Sequence, residues 1–269
     1  MKIVHRALFE NRRVANELLA LGVQVEKPSA NVPYYLVRIT EDDPLWPRVA
    51  TIVGSQRART IDHPTTEFSE EERNAADVLV VTATSQVGFP QPERDFGFLQ
   101  ATYALEDFCG RCKAGRRQDN PFRLARAPRF GKGRSIVQLN WVLDELFVSP
   151  EVWGDVFRVH GVECWPVMDH KSGERLSEVV QLRIEGPTPV ILGPYDTSRS
   201  CPKCGSFVYE LSGRGFLPRP RRIPCALFRS AERFTDGGVN LLFATSAMYS
   251  DMVAGGLKGL QFSPCSKPA

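Results

Sequence analysis

The alternation of apolar and polar residues predicts both helices and strands in the first third of the chain. An apolar stripe that includes Val14, Leu18 and Leu21, followed by Gly22, is typical of an amphipathic helix and its C-terminal end. We predict helices over 9–21, from 40–44 onward and over 67–76, and strands over 34–39 and 78–82.

Two segments in the second half of the chain resemble one another. Leu146–Ser149 matches Leu242–Thr245, and Trp153 matches Tyr249, at an offset of 96 residues that falls to 95 further along. We predict equivalent helices at Ser149–Phe157 and Thr245–Val253, each between two strands. Either a duplication produced two similar strand–helix–strand units that share one metal, or two amphipathic segments resemble each other by chance.

The predicted fold class is α+β, with mixed sheets, flanking helices and these two similar units. Charge divides the chain unevenly, because residues 1–107 carry 11 Lys and Arg against 16 Asp and Glu, whereas residues 108–269 carry 23 against 15. We expect an acidic N-terminal α/β portion over 1–107 and a basic portion over 108–269, packed as one body.

The composition excludes several classes of protein. With 42% hydrophobic and 24% charged residues among 269, the chain is neither disordered nor collagen-like. No uninterrupted apolar run approaches the roughly 18 residues of a membrane span. The first residues lack the apolar core of a secretory signal, so we expect a cytoplasmic protein without a membrane partner.

The seven cysteines carry the clearest chemical signal. An odd number without a secretory signal disfavours a disulfide framework. Four of them form two C-x-x-C pairs, a spacing that lets one tight turn direct both sulfurs at one ion, and structural zinc takes four such ligands. We predict one structural Zn²⁺ in a zinc-ribbon-like site formed by Cys109, Cys112, Cys201 and Cys204.

The two pairs differ in the residue that follows them. Gly205 follows the second pair, where a left-handed backbone lets N–H groups approach the sulfurs, whereas Lys113 follows the first. The pairs are 89 positions apart, so tertiary structure must bring them together. Independent redox dithiols and accidental spacing are the alternatives. We expect Cys164, Cys225 and Cys265 to be small buried hydrophobic residues.

With these turns, the chain resembles the bacterial double-CXXCG proteins over roughly 108–265. That paralogous group is expanded in myxobacteria and is associated with immunity proteins that neutralise swarming-inhibition toxins. The ending Leu257-Lys258-Gly259-Leu260-Gln261-Phe262 is similar to the family's G-L-x-G-(hydrophobic)-x-F close. The resemblance implies a metal site at the two turns and a cognate toxin as the protein partner. Lys113 departs from the family pattern, and residues 1–107 match no part of it.

A basic stretch over 111–134 holds nine basic residues and one acidic residue. Five of its arginines are candidates for anion or partner binding: Arg116, Arg117, Arg123, Arg126 and Arg129. We expect them to form ion pairs with the acidic N-terminal portion. The alternatives are contacts with nucleic acid, for which no recognition helix is evident, and contacts with an acidic protein partner.

No sequence motif supports catalysis. Nucleotide-binding and nucleophile motifs are missing from the sequence, and the four histidines lack metal-ligating spacing, so we expect them at the surface or at helix ends. Asp144 and Glu145 are adjacent on a predicted strand, so we expect them on opposite faces. We predict a non-enzymatic, zinc-stabilised binding protein of the immunity type. The alternatives are a nucleic-acid-binding zinc-ribbon protein and an enzyme whose pocket lies away from the zinc.

Overall fold

A computed structural model describes residues 1–27, 33–55, 60–131, 133–194, 196–235 and 237–267. The fold is α+β, as predicted. The chain folds into two compact units, Met1–Glu72 with Ser212–Phe216, and Arg73–Leu211 with Leu217–Ala269. A short helix, α3 (Glu70–Asn74), contains the boundary between them.

The smaller unit is an antiparallel sheet that packs against two helices. Its elements are β1 (Lys2–Phe9), α1 (Arg12–Ala20), β2 (Val25–Glu26), β3 (Tyr35–Thr40), α2 (Trp46–Gly54), β4 (Thr60–Asp62) and β5 (Thr65–Glu67). Strand β1 pairs with β3 on one side and with β4 and β5 on the other, and β2 extends the sheet beyond β3. The core joins apolar residues of β1 and β3 to apolar residues of both helices.

Strand β1 corrects two expectations. The predicted helix over 9–21 begins only at Arg12, and Phe9 is the last residue of β1. His5, Ala7 and Phe9 are all buried at alternate positions of the strand. Because His5 is polar, the sequence does not show the alternation of apolar and polar residues that is typical of a strand. His5 is not at the surface, because its ring stacks on Trp46 at 3.8 Å and lies within 2.9 Å of Glu41 and 2.7 Å of Asp62.

The larger unit contains two five-stranded sheets, ordered β10-β11-β13-β12-β9 and β14-β19-β20-β6-β21, and three two-stranded sheets. Its elements are β6 (Val78–Ala83), α4 (Phe98–Thr102), β7 (Tyr103–Ala104), β8 (Arg117–Gln118), β9 (Arg123–Leu124), β10 (Ile136–Leu139), β11 (Val142–Val148), α5 (Pro150–Val152), β12 (Cys164–Asp169), β13 (Arg175–Leu182), β14 (Glu185–Thr188), β15 (Val190–Ile191), β16 (Thr197–Ser200), β17 (Phe207–Glu210), β18 (Arg219–Pro220), β19 (Leu227–Ser230), β20 (Leu242–Thr245), α6 (Ser246–Ala254) and β21 (Leu260–Pro264). Strand β6 belongs to this unit, although it lies within residues 1–107, which the charge distribution assigns to the acidic N-terminal portion.

The larger unit repeats one arrangement twice, as the internal resemblance predicts. Strands β11 and β12 flank a helical segment and lie on either side of the antiparallel β13, while β20 and β21 flank α6 on either side of the antiparallel β6. The Ser149 and Thr245 hydroxyls cap the two helical segments by accepting a backbone hydrogen bond. The first segment continues from α5 as a π-helical turn (Trp153–Phe157) and a 3₁₀ turn (Arg158–His160), whereas α6 is regular.

The register corrects the alignment of the last strands. Gln181 lies between Phe147 and Trp165, and Val80 lies between Phe243 and Ser263. Trp165 therefore corresponds to Ser263 by strand pairing, and not to Leu260 as the sequence offset suggests. Both strand–helix–strand units contribute to one apolar core. None of the described helices has the length and apolar character needed to cross a membrane.

Candidate metal centre

Both C-x-x-C pairs lie in tight turns closed by the same two backbone hydrogen bonds. In each turn, the backbone N–H of the first cysteine donates to the carbonyl of the residue five positions later. The carbonyl of the same cysteine accepts from the N–H of the residue four positions later. The four bonds, each 2.8 Å long, run from Cys109 to Ala114, from Lys113 to Cys109, from Cys201 to Ser206 and from Gly205 to Cys201. The two turns therefore have one hydrogen-bonding pattern at an offset of 92 residues.

The residue after each pair has a left-handed backbone. Gly205 has a φ of +75°, and Lys113 in the equivalent place has a φ of +60°. Lys113 donates from Nζ to the carbonyl of Gly110 at 2.8 Å, and its ammonium lies 5.7 Å from the centre of the Phe108 ring. The turn therefore forms without the glycine that follows the second pair.

Tertiary structure brings all four sulfurs together. They lie within 4.8 Å of one another, with Sγ–Sγ distances of 3.9 Å for Cys109 and Cys201 and 3.5 Å for Cys112 and Cys204. A disulfide would need a separation of about 2.05 Å, so these are free thiols. Three of the four cysteines are buried, and Cys204 is exposed. The cluster could hold a metal ion.

Backbone groups of the turns favour thiolates at this cluster. The N–H groups of Cys112 and Arg111 donate to the Cys109 sulfur and lower the pKa of that thiol to about 6. Two N–H groups of the second turn likewise lower the pKa of Cys201, whereas burial raises the pKa of Cys112 to about 12. Because four thiolates so close together repel one another, they need a cation to ionise together.

The remaining cysteines match the expectation in part. Cys265 is buried, and burial raises its pKa, which is typical of an inert structural thiol. Cys164 is half-buried and Cys225 is exposed, where its sulfur lies 3.2 Å from the carbonyl oxygen of Leu227. The prediction of three buried hydrophobic cysteines is therefore wrong for the exposed Cys225, whereas the half-buried Cys164 still packs against the apolar core.

The five candidate arginines do not pair with the acidic N-terminal portion as expected. Arg116 is buried and donates to both carboxylate oxygens of Asp144, at 2.7 and 2.8 Å, within the basic portion itself. The other four form no ion pair with any residue that the structure describes: Arg117, Arg123, Arg126 and Arg129. Arg126 and Arg129 line a cavity of about 330 Å³ beside Phe89, which leaves them available to a partner.

Three aromatic side chains form an exposed cluster that sequence reasoning missed. Phe89, Phe96 and Trp141 are 37%, 51% and 42% exposed, and the rings of both phenylalanines lie 4.7 Å from that of Trp141. We call these three residues the aromatic cluster. Phe96 and Trp141 have φ values of +55° and +68°, which are strained for large side chains. The sequence signal is the position of Phe89 between Gly88 and Pro90, two residues that are typical of a loop.

Asp144 and Glu145 also contradict the expectation, because both line one cavity together with Arg116 and Arg117. Strand β11 is irregular here. Val137 and Leu139, two positions apart on β10, pair with Phe147 and Val142, five positions apart on β11. This irregularity interrupts the alternation of faces that would keep adjacent side chains apart.

Neither protein-family models nor curated proteins match this chain. The geometry nevertheless limits the chemistry of the four-cysteine cluster. Four sulfur ligands fill a tetrahedral ion, so no position would stay open for water or a substrate. A metal held here would act on the fold rather than on a reaction.

Proposed function

We propose that Cys109, Cys112, Cys201 and Cys204 bind one structural zinc ion. Zinc bonds thiolates at about 2.3 Å in a tetrahedron, which places the sulfurs about 3.8 Å apart. The separations of 3.5 and 3.9 Å between sulfurs of different turns are close to that value. Bound zinc joins two turns 92 residues apart, so its binding free energy adds to the free energy of unfolding.

Metal analysis of the full chain, purified from zinc-supplemented medium and dialysed, tests this proposal. We expect one zinc per chain, and less than half an equivalent after Cys201→Ser. Cys225→Ser is the matched control, because Cys225 lies outside the cluster and should leave the zinc content unchanged. Zinc-free wild-type protein, or full occupancy in Cys201→Ser, contradicts the proposal.

We propose further that the zinc-stabilised chain is a non-enzymatic binding protein that captures a protein partner through the aromatic cluster. Exposed aromatic residues close together are typical of interface centres, where large rings provide most of the binding energy. Arg126 and Arg129 border the same surface through the cavity that includes Phe89, and arginine is enriched at such interfaces. The exposed aromatic cluster is the observation that carries this proposal.

The backbone at this surface gives a second reason. Non-glycine residues with positive φ cost on the order of 1–3 kcal/mol each, and they persist where the surrounding structure enforces them, often at binding sites. Phe96 and Trp141 both carry this cost while exposing their rings to solvent. On the resemblance to double-CXXCG proteins, we propose that this partner is a cognate toxin and that the chain is its immunity protein.

Growth rescue tests the immunity role. The chain is co-expressed with the product of a neighbouring gene that inhibits growth, and we expect growth to be restored. Trp141→Ala should weaken binding to that product by tenfold or more and abolish rescue, because hot-spot aromatics contribute about 2 kcal/mol or more. Phe207→Ala is the control, since Phe207 is at least as exposed but lies outside the aromatic cluster.

Two results would overturn the binding role. One is rescue that is unchanged by Trp141→Ala and Phe96→Ala together, which would place the interface elsewhere. The other is sub-micromolar binding to DNA or RNA at about 150 mM salt, with affinity that falls steeply as salt rises. That result would favour the nucleic-acid alternative, with Arg123, Arg126 and Arg129 as phosphate contacts.

A further inference from the structure

A cavity of about 490 Å³ in the larger unit is lined mainly by charged and polar side chains. Two buried ion pairs lie within it. Arg116 donates to Asp144, and Arg229 donates from Nη1 and Nη2 to the two Glu145 oxygens at 3.0 and 3.3 Å. Gln181 donates to Glu145 as well, at 3.0 Å, so both carboxylates are held in place.

The charges that line this cavity do not balance. Five arginines and three acids contribute: Arg116, Arg117, Arg183, Arg229 and Arg233, against Asp144, Glu145 and Glu185. Arg183 pairs with Glu185 at 2.6 Å, which accounts for the third acid, and also with Glu163 at 2.9 Å, outside the lining. Arg117 and Arg233 form no direct ion pair among the described residues. Arg233 donates to the carbonyl of Gly238, at 2.7 Å, and feels the charge of Asp144 only at longer range. The cavity therefore has two positive charges in excess.

Tyr103 adds a donor without an acceptor. Tyr103 lines the cavity, and its buried hydroxyl has no hydrogen-bond partner within the described ranges. Burial raises the pKa of Tyr103, so the hydroxyl stays protonated and can donate a hydrogen bond. A buried donor without a partner costs free energy, and a ligand oxygen in the cavity would remove that cost.

We propose that this cavity binds a small oxyanion-bearing molecule, a carboxylate or a phosphate, neutralised by Arg117 and Arg233 and hydrogen-bonded by the Tyr103 hydroxyl. The volume falls within the range typical of small-molecule sites. Burial, and then the positive charge of Arg116, lowers the pKa of Arg233, which is the situation that a bound anion relieves. The site does not depend on the protein partner, because the aromatic cluster takes no part in its lining.

Titration calorimetry on the zinc-loaded full chain tests this proposal with two probes, sodium phosphate and sodium succinate, at constant ionic strength in chloride. We expect saturable binding of at least one probe with a Kd below about 1 mM. The tighter of the two identifies the oxyanion class. Tyr103→Phe should weaken that binding tenfold or more, since a hydrogen bond to a charged group is lost, and Arg233→Met should remove it.

Tyr249→Phe is the matched control, because Tyr249 is buried in the same unit but does not line the cavity. Without ligand, Tyr103→Phe should unfold at or above the wild-type temperature, since it removes a buried hydroxyl that has no partner among the described residues. Absence of saturable binding for both probes overturns the proposal, as does equal binding by Tyr103→Phe and wild type. Binding that survives Arg233→Met also overturns it.

Discussion

The two C-x-x-C turns share their hydrogen bonds but depend on glycine in different ways. At Gly205, in the second turn, an added Cβ would meet no atom within 4 Å, so only the left-handed φ of +75° calls for glycine. Lys113 holds the equivalent place in the first turn, and the glycine there is Gly115, where a Cβ would lie 1.9 Å from the Asp107 carbonyl oxygen. The second turn therefore needs conformational freedom, whereas the first needs close backbone packing.

The largest expected effect tests what the two turns share. If both turns hold the proposed zinc ion, Cys109→Ser and Cys201→Ser should lower the free energy of unfolding by similar amounts, about several kcal/mol each. Denaturant unfolding of zinc-loaded proteins measures the loss, with the exposed Cys225→Ser as the control outside the cluster. A large loss for one turn and a small loss for the other would mean that the ion is not shared.

The next effect is specific to the first turn. Gly115→Ala should cost about 3 kcal/mol or more, because backbone must move to admit the Cβ and the left-handed φ of +82° adds strain. Gly110→Ala is the matched control within the same turn, since its Cβ would meet nothing within 4 Å and its φ is not left-handed. We expect Gly110→Ala to change the free energy of unfolding by less than about 1 kcal/mol. Equal effects at the two glycines would contradict the packing role of Gly115.

A smaller effect is expected in the second turn. Gly205→Ala should cost about 1 kcal/mol through backbone strain alone, because the added methyl group has free space. Gly205→Asn should cost less, since asparagine tolerates the left-handed region. Thermal unfolding with the zinc content held at one equivalent measures both. A cost for Gly205→Ala as large as that of Gly115→Ala would remove the distinction between the turns.

The turns could be predicted because each is a local structure. Six consecutive residues contain the cysteines, the left-handed residue and the closing hydrogen bonds, so the spacing alone indicates the geometry. The cavity of about 490 Å³ has no such signal, because its lining comes from residues between 103 and 240 that meet only once the sheets have formed. Asp144 and Glu145 both face this lining because β11 is irregular. That irregularity depends on the pairing of β11 with β10, and the sequence does not show this pairing.

In the strand–helix–strand units, too, the sequence predicts local structure but not the pairing of distant strands. The sequence correctly predicts that helical segments begin at Ser149 and Thr245, because the capping hydrogen bonds of these two residues are local. The sequence does not predict which strand lies in the middle of each unit, because β13 follows its unit in the chain while β6 precedes its own by more than 150 residues. Periodicity identifies strands one at a time and carries no information on such distant pairing.

The smallest expected effect tests whether Lys113 and Gly205 are truly equivalent. Lys113→Gly should raise the free energy of unfolding by up to about 1 kcal/mol, because glycine adopts a φ of +60° without strain. The gain is reduced by the greater freedom of glycine in the unfolded chain and by the loss of the exposed bond from Nζ to Gly110. Lys113→Ala separates these contributions, since alanine removes the ammonium but keeps the strain, and it should be slightly destabilising. Denaturant unfolding of the wild type and the two variants, all zinc-loaded, measures these differences. If Lys113→Gly is no more stable than Lys113→Ala, the left-handed φ at position 113 carries no strain, and Lys113 and Gly205 are not equivalent.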